Sequence, residues 1–346
     1  MAGPTPRATA SPAPRSAPAP RSDARALWLI FATLSMAWGS SYLFIKIGLD
    51  EGLPPLSLVG FRLWIASLFL VVVLKLTGGR LPASRAVLGR LMLLGLINVA
   101  IPFSLITWGE LWIPSALASI LNGLVPLFTI VLASLVLHDE PMTTNRLLGL
   151  LIGFAGAVLL LAPRLGEGTG PIDPTMALLG ELAVVVASLS YSCSAIFIRR
   201  SISGRPLVDD PRRGPRPLTP VETALPQCVT AALMISTLSI VFERPSGLQF
   251  PPTLPAWFAV GWLGIIGSGI AYLLFFRLIS AWGATRTTLV TYIMPIVGIA
   301  LGFIVLGERL DIAELFGAAL IIGGLVLANS SFGQRRLFGR ASAPAE

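Results

Sequence analysis

Ten runs of mostly apolar residues follow one another along the chain, with short polar breaks between them. They fall at about 26–48, 55–76, 87–108, 113–137, 144–162, 175–198, 221–242, 256–280, 286–306 and 312–331. Each is about 18 residues or longer, and a helix of about 20 residues crosses the ~30 Å hydrocarbon core of a bilayer. The weak ten-residue alternation of a β-barrel is absent. Backbone groups in lipid must then be satisfied within each segment, which predicts helices. The expected fold is an all-α integral membrane protein with ten transmembrane helices.

The polar and small positions inside these runs repeat. Gly95-Leu96-Ile97 leads to Pro126 in one half, and Gly264-Ile265-Ile266 leads to Pro295 in the other at the same spacing. Beyond the prolines, Leu135-Val136-Leu137-His138-Asp139-Glu140 answers Phe303-Ile304-Val305-Leu306-Gly307-Glu308. Gly149 and Gly156 then match Gly317 and Gly324. The first copy carries one extra residue at the turn, so either Asp139 or Glu140 is the counterpart of Glu308. Ser35–Ser41 lies over Ser188–Ser194, and aligning Pro55 with Pro220 sets Arg62 opposite Gln227. Five helices per copy is an odd number, so the second copy enters the membrane upside down. The expected arrangement is two inverted five-helix repeats, as in many transporters.

Composition agrees with a membrane setting. Hydrophobic residues make up 54% of the chain and charged residues 12%, against roughly 25% charge in a soluble domain. The net charge of +8 invites a nucleic-acid reading, but its placement argues against one. With the N-terminus inside, Arg7, Arg15, Arg21, Arg25, Lys75, Arg80, Arg85, Arg90 and Arg146 fall on the cytoplasmic side, as do the Arg199–Arg216 cluster and Arg335–Arg340. This bias predicts a multi-pass protein of the plasma (inner) membrane with both termini cytoplasmic. The lipid bilayer and a small-molecule solute are the expected partners, with the chain a monomer or homodimer.

The ends lie outside the expected fold. Residues 1–24 are Pro, Ala, Ser and Arg without an apolar run, which predicts a disordered tail; 332–346 is the second tail. Residues 163–174 form an external loop, and 201–219, with four prolines and an Arg cluster, a cytoplasmic linker. Cys193 and Cys228 lie in apolar runs without Cys-x-x-Cys spacing and read as small core residues.

A few residues carry candidate chemistry. Pro126 and Pro295 sit at equivalent mid-run positions, where proline removes a backbone hydrogen bond and kinks a helix; Asn122 and Thr291 lie one turn earlier and can serve the freed carbonyl. Arg62 is a charge inside a span, costing about 2.5–3.5 kcal/mol on insertion scales. It either snorkels, forms a structural ion pair or binds an anionic solute group. Glu181 is the carboxylate deepest in a span and the candidate proton carrier, although its repeat mate is Trp28. Lys46, matched by Arg199, reads as a snorkelling helix-end cation with Asp50 as partner. Glu140 and Glu308 precede helices and read as acids favoured by the N-terminal end of the helix dipole.

The segment Ala37-Trp38-Gly39-Ser40-Ser41, Pro54-Pro55 and Phe61-Arg62 resembles the start of an EamA-type domain of the drug/metabolite transporter superfamily. Leu263-Gly264, Ala271-Tyr272, Gly283-Ala284, Pro295 and Leu306-Gly307-Glu308-Arg309-Leu310 resemble the end of one. Two copies, 26–162 and 175–331, would be the family's ten-helix arrangement. The resemblance implies a secondary-active permease, often an exporter, of amino acids, other metabolites or drug-like solutes. It also implies a central cavity among spans one, three, four, six, eight and nine. The polar or aromatic residues near mid-span there are Trp38, Ser41, Asn122, Tyr191, Tyr272 and Tyr292, with Trp108 a further candidate for aromatic lining.

Other classes fit less well. No His-Glu-x-x-His, Gly-x-Ser-x-Gly, paired intramembrane aspartates or Walker lysine motif is present, so the usual intramembrane enzymes and ATP use lack their residues. No metal site or cofactor is expected. A membrane-embedded enzyme, or a flippase-like protein without proton coupling, is the alternative.

Overall fold

The computed structural model describes residues 21–137, 142–161, 173–210, 214–243, 249–282, 287, 289–330 and 336–338. Asp139, Glu140, most of both tails and most of the 163–174 loop lie outside these residues. The chain is built from α1 (Arg21–Asp50), α2 (Pro55–Leu76), α3 (Arg85–Gly95), α4 (Ile101–Gly109), α5 (Ser115–Asn122), α6 (Val125–Val136) and α7 (Thr144–Leu161). Then come α8 (Pro174–Ser201), α9 (Pro220–Phe242), α10 (Leu254–Gly264), α11 (Ala271–Trp282), α12 (Val290–Leu306) and α13 (Ile312–Asn329). Among the described residues, eight of the expected spans are helices long and apolar enough to cross a membrane. The fifth and ninth, α7 and α12, are apolar but shorter.

Two spans are joined through wider turns. Leu96–Ala100 between α3 and α4, and Ile265–Ile270 between α10 and α11, are π-helical. They begin directly after Gly95 and Gly264, the paired glycines of the sequence repeat. Single π turns recur at functional sites because the extra residue re-aims side chains and loosens backbone pairing.

The fourth span is interrupted. After Asn122 the backbone tightens, with Gly123 N–H bonding Ile120 O and Leu124 N–H bonding Leu121 O. Pro126 is the second residue of the new helix α6, where a missing N–H costs nothing. Pro295 lies inside the continuous helix α12. The two prolines therefore occupy different local settings despite their matching sequence positions. Asn122 does not serve a freed carbonyl: its Oδ1 accepts from the Ser188 hydroxyl. Carbonyls at the break are bonded by α8 instead, Leu121 O and Val125 O accepting from Ser188 and Ser192.

Small differences from the expected boundaries occur at the ends. Helix α1 starts at Arg21, inside the expected tail. Short strands pair Val208–Asp210 with Gly214–Arg216 in the linker, and Met142–Thr143 with Arg336–Phe338.

The connections sort by charge. One end of the bundle, holding the α1–α2, α4–α5, α9–α10 and α12–α13 connections, carries Asp50, Glu51, Glu110, Glu243, Glu308 and Asp311 and is called the acidic end. The other, with Lys75, Arg80, Arg85, Arg199, Arg200 and Arg216, is the basic end. At the acidic end, helix starts are capped from distant segments. Glu243 accepts from Leu56 N, Ser57 N and the Ser57 hydroxyl at 2.6–2.9 Å, covering the start of α2. Glu308 accepts from Ser115 N, Ala116 N and the Ser115 hydroxyl at 2.8–3.0 Å, covering the start of α5. Glu308 is thus a helix cap, but for α5 and not for the helix that follows it; α13 is capped by an Asp311–Glu314 capping box.

Packing follows membrane rules. Where α7 crosses α13, a Cβ on Gly149 would fall onto Gly324 O, and one on Gly156 would fall 2.6 Å from Gly317 O. Only glycine lets the backbones approach this closely, and dispersion between them replaces the missing hydrophobic drive. The outside of the bundle bears Leu68, Leu135, Phe303, Ile304 and Phe316, all well exposed, while Arg62, Asn122, Ser188 and Gln227 are buried. Exposed apolar surface of this extent requires a partner, and lipid is the one that matches helices of this length.

Candidate functional site

Between the two sequence copies lies a cavity of about 110 Å³. Its walls come from α1 (Trp38, Ser41, Tyr42, Ile45), α2 (Arg62), the first π turn (Asn98) and α4 (Phe103, Ile106). Asn122 and Val125 border the break in the fourth span, and α8 adds Tyr191, Ser194 and Ile198. Tyr272 and Phe275 of α11 and Thr291 and Met294 of α12 complete it.

Aromatic rings shape the wall. Trp38 meets Tyr272 edge-on at 6.3 Å and Phe275 at 5.1 Å, spacings at which ring quadrupoles attract. The Tyr272 hydroxyl bonds Asn98 O. Ser41 lies against the second π turn, where a Cβ on Gly267 would stand 2.8 Å from the Ser41 hydroxyl oxygen.

Arg62 is the sole charged residue in this wall among the described residues. It is 3% exposed, so it does not snorkel to an interface. Its Nε donates to Ser268 Oγ at 2.8 Å and its Nη2 to Gly267 O at 3.3 Å, both in the second π turn. The guanidinium carbon stands 3.9 Å from the centre of the Phe103 ring, a cation–π distance. No carboxylate among the described residues comes within ion-pair distance of it. Neutral partners hold the fork in place and leave its charge without a counter-charge, which is the arrangement that receives an anion.

An analogous contact occurs between α9 and the first π turn. Asn98 Nδ2 donates to Gln227 Oε1 at 3.0 Å, and Ser194 donates to Asn98 Oδ1 at 2.8 Å. The backbone approach also matches. A Cβ on Gly95 would lie 2.7 Å from Gln227 O, and one on Gly264 would lie 2.9 Å from Arg62 O.

Of the six residues expected to line the cavity, Trp38, Ser41, Asn122, Tyr191 and Tyr272 do so. Tyr292 does not: its hydroxyl donates to Leu325 O and is met by Asn329 Nδ2 of α13. One residue along a helix turns about 100°, so Thr291 faces the cavity and Tyr292 faces away. Trp108 is also outside, packed edge-on against Trp112. Glu181 is fully buried but lies apart from the cavity wall. Lys46 approaches Asp50 at 3.7 Å and also donates to Glu110 O at 3.0 Å. Asn98 and Tyr42 escaped the sequence reading; a lone amide three residues past the repeated glycine was the available signal for Asn98.

Comparison with known proteins agrees with this architecture. A solved crystal structure superposes with a TM-score of 0.59 at 22% identity, covering 88% of this chain and 96% of that one, which shows a shared fold. An uncharacterized inner membrane transporter, YedA of Escherichia coli, is 28% identical, covering 85% of this chain and 87% of that protein. An uncharacterized transporter, YoaV of Bacillus subtilis, is 22% identical over 88% and 97%. A probable terminal-alkyne amino-acid exporter of Streptantibioticus cattleyicolor is 26% identical over 90% and 96%. The sequence model of the EamA-like transporter family matches twice, over residues 26–162 and 178–330. With both copies matched and a cavity between them, the chain belongs to the EamA-like transporter family and is a membrane transporter of the drug/metabolite type.

Proposed function

We propose that the chain is a secondary-active exporter of small solutes that combine an apolar body with a carboxylate, amino acids foremost, working by alternating access. The observation that carries this reading is Arg62, a buried cation with neutral partners in an aromatic cavity. A guanidinium buried this way is costly unless something repays it, and a bound carboxylate does so through a bidentate, charge-assisted pair. Trp38, Tyr191 and Tyr272 offer ring faces to an apolar side chain or to an ammonium. The relative named as an amino-acid exporter fits the same solute class.

Ten crossings in two inverted repeats, with both termini cytoplasmic, complete the proposal. The cavity wall includes Ile198, Phe275 and Thr287, on the side of the basic end, while carboxylate caps tie segments together at the acidic end. Under the positive-inside rule the basic end is cytoplasmic, so this is the state that receives solute from inside. Pro126 and Pro295, at the fourth and ninth spans, are the proposed flexing points for exchange to the opposite state.

The test is uptake into inside-out vesicles holding only this protein, using a panel of labelled hydrophobic amino acids. Saturable uptake, inhibited by free carboxylates and not by the corresponding amides, is expected. Equal inhibition by the amides would remove Arg62 from recognition, and the absence of saturable flux across the panel would reject the solute class.

A further inference from the structure

Among the described residues, carboxylates at the acidic end are paired with one exception. Glu308 and Glu243 each cap a helix, Glu51 accepts from the Thr253 hydroxyl, and Glu314 closes a capping box. Glu110, in the turn after α4, is fully buried, and neither of its carboxylate oxygens has a hydrogen-bond partner. The Thr107 hydroxyl and Trp112 Nε1, three residues before and two after it, are likewise buried without partners. An ionised carboxylate buried without donors costs several kcal/mol or more and takes up a proton instead.

Its position matters as much as its isolation. Ile106, one turn earlier on α4, lines the cavity, as do Ile45 and Tyr42 of α1. Glu110 therefore lies one turn beyond the cavity wall, on the side of the acidic end. The charged and titratable groups around it are Lys46, which donates to its carbonyl, Asp50 and Tyr42 on α1, Arg62 on α2 and Glu308 after α12. Glu181 on α8 follows Gly180, whose carbonyl abuts Gly109. Burial holds the Glu110 carboxyl well above the ordinary range; Lys46 opposes this and Glu308 adds to it.

We propose that Glu110 is the proton-binding site that couples closure of the acidic end to proton uptake, so that the pH on that side sets the balance between the two states. This rests on the alternating-access reading above. When the acidic end is open, Glu110 meets water and ionises. Closing that end buries the carboxyl and requires a proton from the acidic side, and reopening returns that proton to the same side. No described donor bonds either carboxylate oxygen, and Lys46, the cation that acts on the carboxyl most strongly, is engaged with a carbonyl and Asp50.

Two measurements on full-length protein in nanodiscs test this. In difference infrared spectra over a pH titration, wild type should show a protonated-carboxyl band that persists at neutral pH, lost in Glu110→Gln and kept in Glu181→Gln. Loss of the band in Glu181→Gln alone would overturn the assignment. The second uses Ile45→Cys with Cys193 and Cys228 changed to Ser, labelled in vesicles by a membrane-impermeant thiol reagent from the acidic side. Rates are normalised to the unfolded protein at each pH. Labelling should rise with pH, and Glu110→Gln should hold it at the low-pH level. An unchanged pH profile in Glu110→Gln would refute the coupling. If Glu110→Gln does not reach the membrane, Glu110→Asp must shift the midpoint, and an unshifted midpoint refutes the coupling equally. A titrating band with no labelling at any pH would instead count against alternating access.

Discussion

Arg62 on the second π turn and Gln227 on the first form two versions of one contact. In both, a polar residue of a neighbouring helix reaches a π turn that follows a glycine, and in both the glycine lies against that residue's carbonyl. The neutral version is bonded through its amide oxygen: Gln227 Oε1 is met by Asn98, which is met by Ser194, while Gln227 Nε2 is buried without a partner. The charged version faces Gly267 and Ser268, and ends at the cavity with its charge uncompensated. A fold that manages with a glutamine on one side does not need an arginine on the other for stability. On the proposed function, the charge is there for what enters the cavity.

Replacing the charged version by the neutral one is the sharpest way to test that contrast. Arg62→Gln should keep the protein folded, since an amide can bond Ser268 much as Gln227 bonds Asn98. Charge-assisted hydrogen bonds are worth about 1.5–3 kcal/mol, so kcat/KM for carboxylate solutes should fall roughly 10- to 100-fold. Vesicle uptake alongside a thermal melt in detergent checks both halves. A large drop in melting temperature with transport intact would make Arg62 a structural residue.

The glycines probe the shared part of the contact. Alanine at Gly264 would place a Cβ 2.7 Å from Ile65 Cβ, and at Gly95 one 2.7 Å from Gln227 O. Overpacking of this kind costs about 1–3 kcal/mol. Both variants should lower thermal stability by similar amounts, measured by melting in detergent. A loss at one position alone would show that the two contacts carry unequal loads.

The same pair shows what the sequence could reveal and what it could not. Spans were legible because about 20 apolar residues have few other uses. Trp38, Ser41, Asn122, Tyr191 and Tyr272 were legible because polar or aromatic groups at mid-span have little reason to face lipid. Tyr292 failed because apolar runs carry no phase: every face of α12 is apolar, so the choice between residues 291 and 292 rests on rotation alone. Gly95 and Gly264 were visible as repeat markers, but the π turns after them depend on backbone pairing that composition does not encode. Glu110 was hidden among helix-end acids; only burial and hydrogen bonding separate it from Glu308 and Glu243.

Disrupting the neutral version should have a smaller effect on transport. Asn98→Ala removes the partners of both Gln227 and Ser194 while leaving the carbonyl that Tyr272 bonds. Unpaired buried amides cost about 1–3 kcal/mol, so the melting temperature should fall while the affinity for carboxylate solutes changes by less than in Arg62→Gln. An affinity loss matching that of Arg62→Gln would place Asn98 in solute recognition and end the division between the two contacts.

The smallest effects are expected at the prolines, where the two halves differ again. Pro126 begins α6 directly after a break whose carbonyls are bonded by Ser188 and Ser192. Pro126→Ala supplies an N–H at a position that lacks an intrahelical acceptor, so stability should change by less than about 0.5 kcal/mol. Pro295 lies inside α12, where alanine restores a hydrogen bond and removes a clash with the preceding turn. Pro295→Ala should therefore straighten and stabilise that helix, lowering the maximal transport rate while solute binding is largely kept. Equal and unchanged rates in both variants would mean that neither proline bends during exchange. The flexing would then fall to the π turns themselves, the one irregularity that both halves share at the same place.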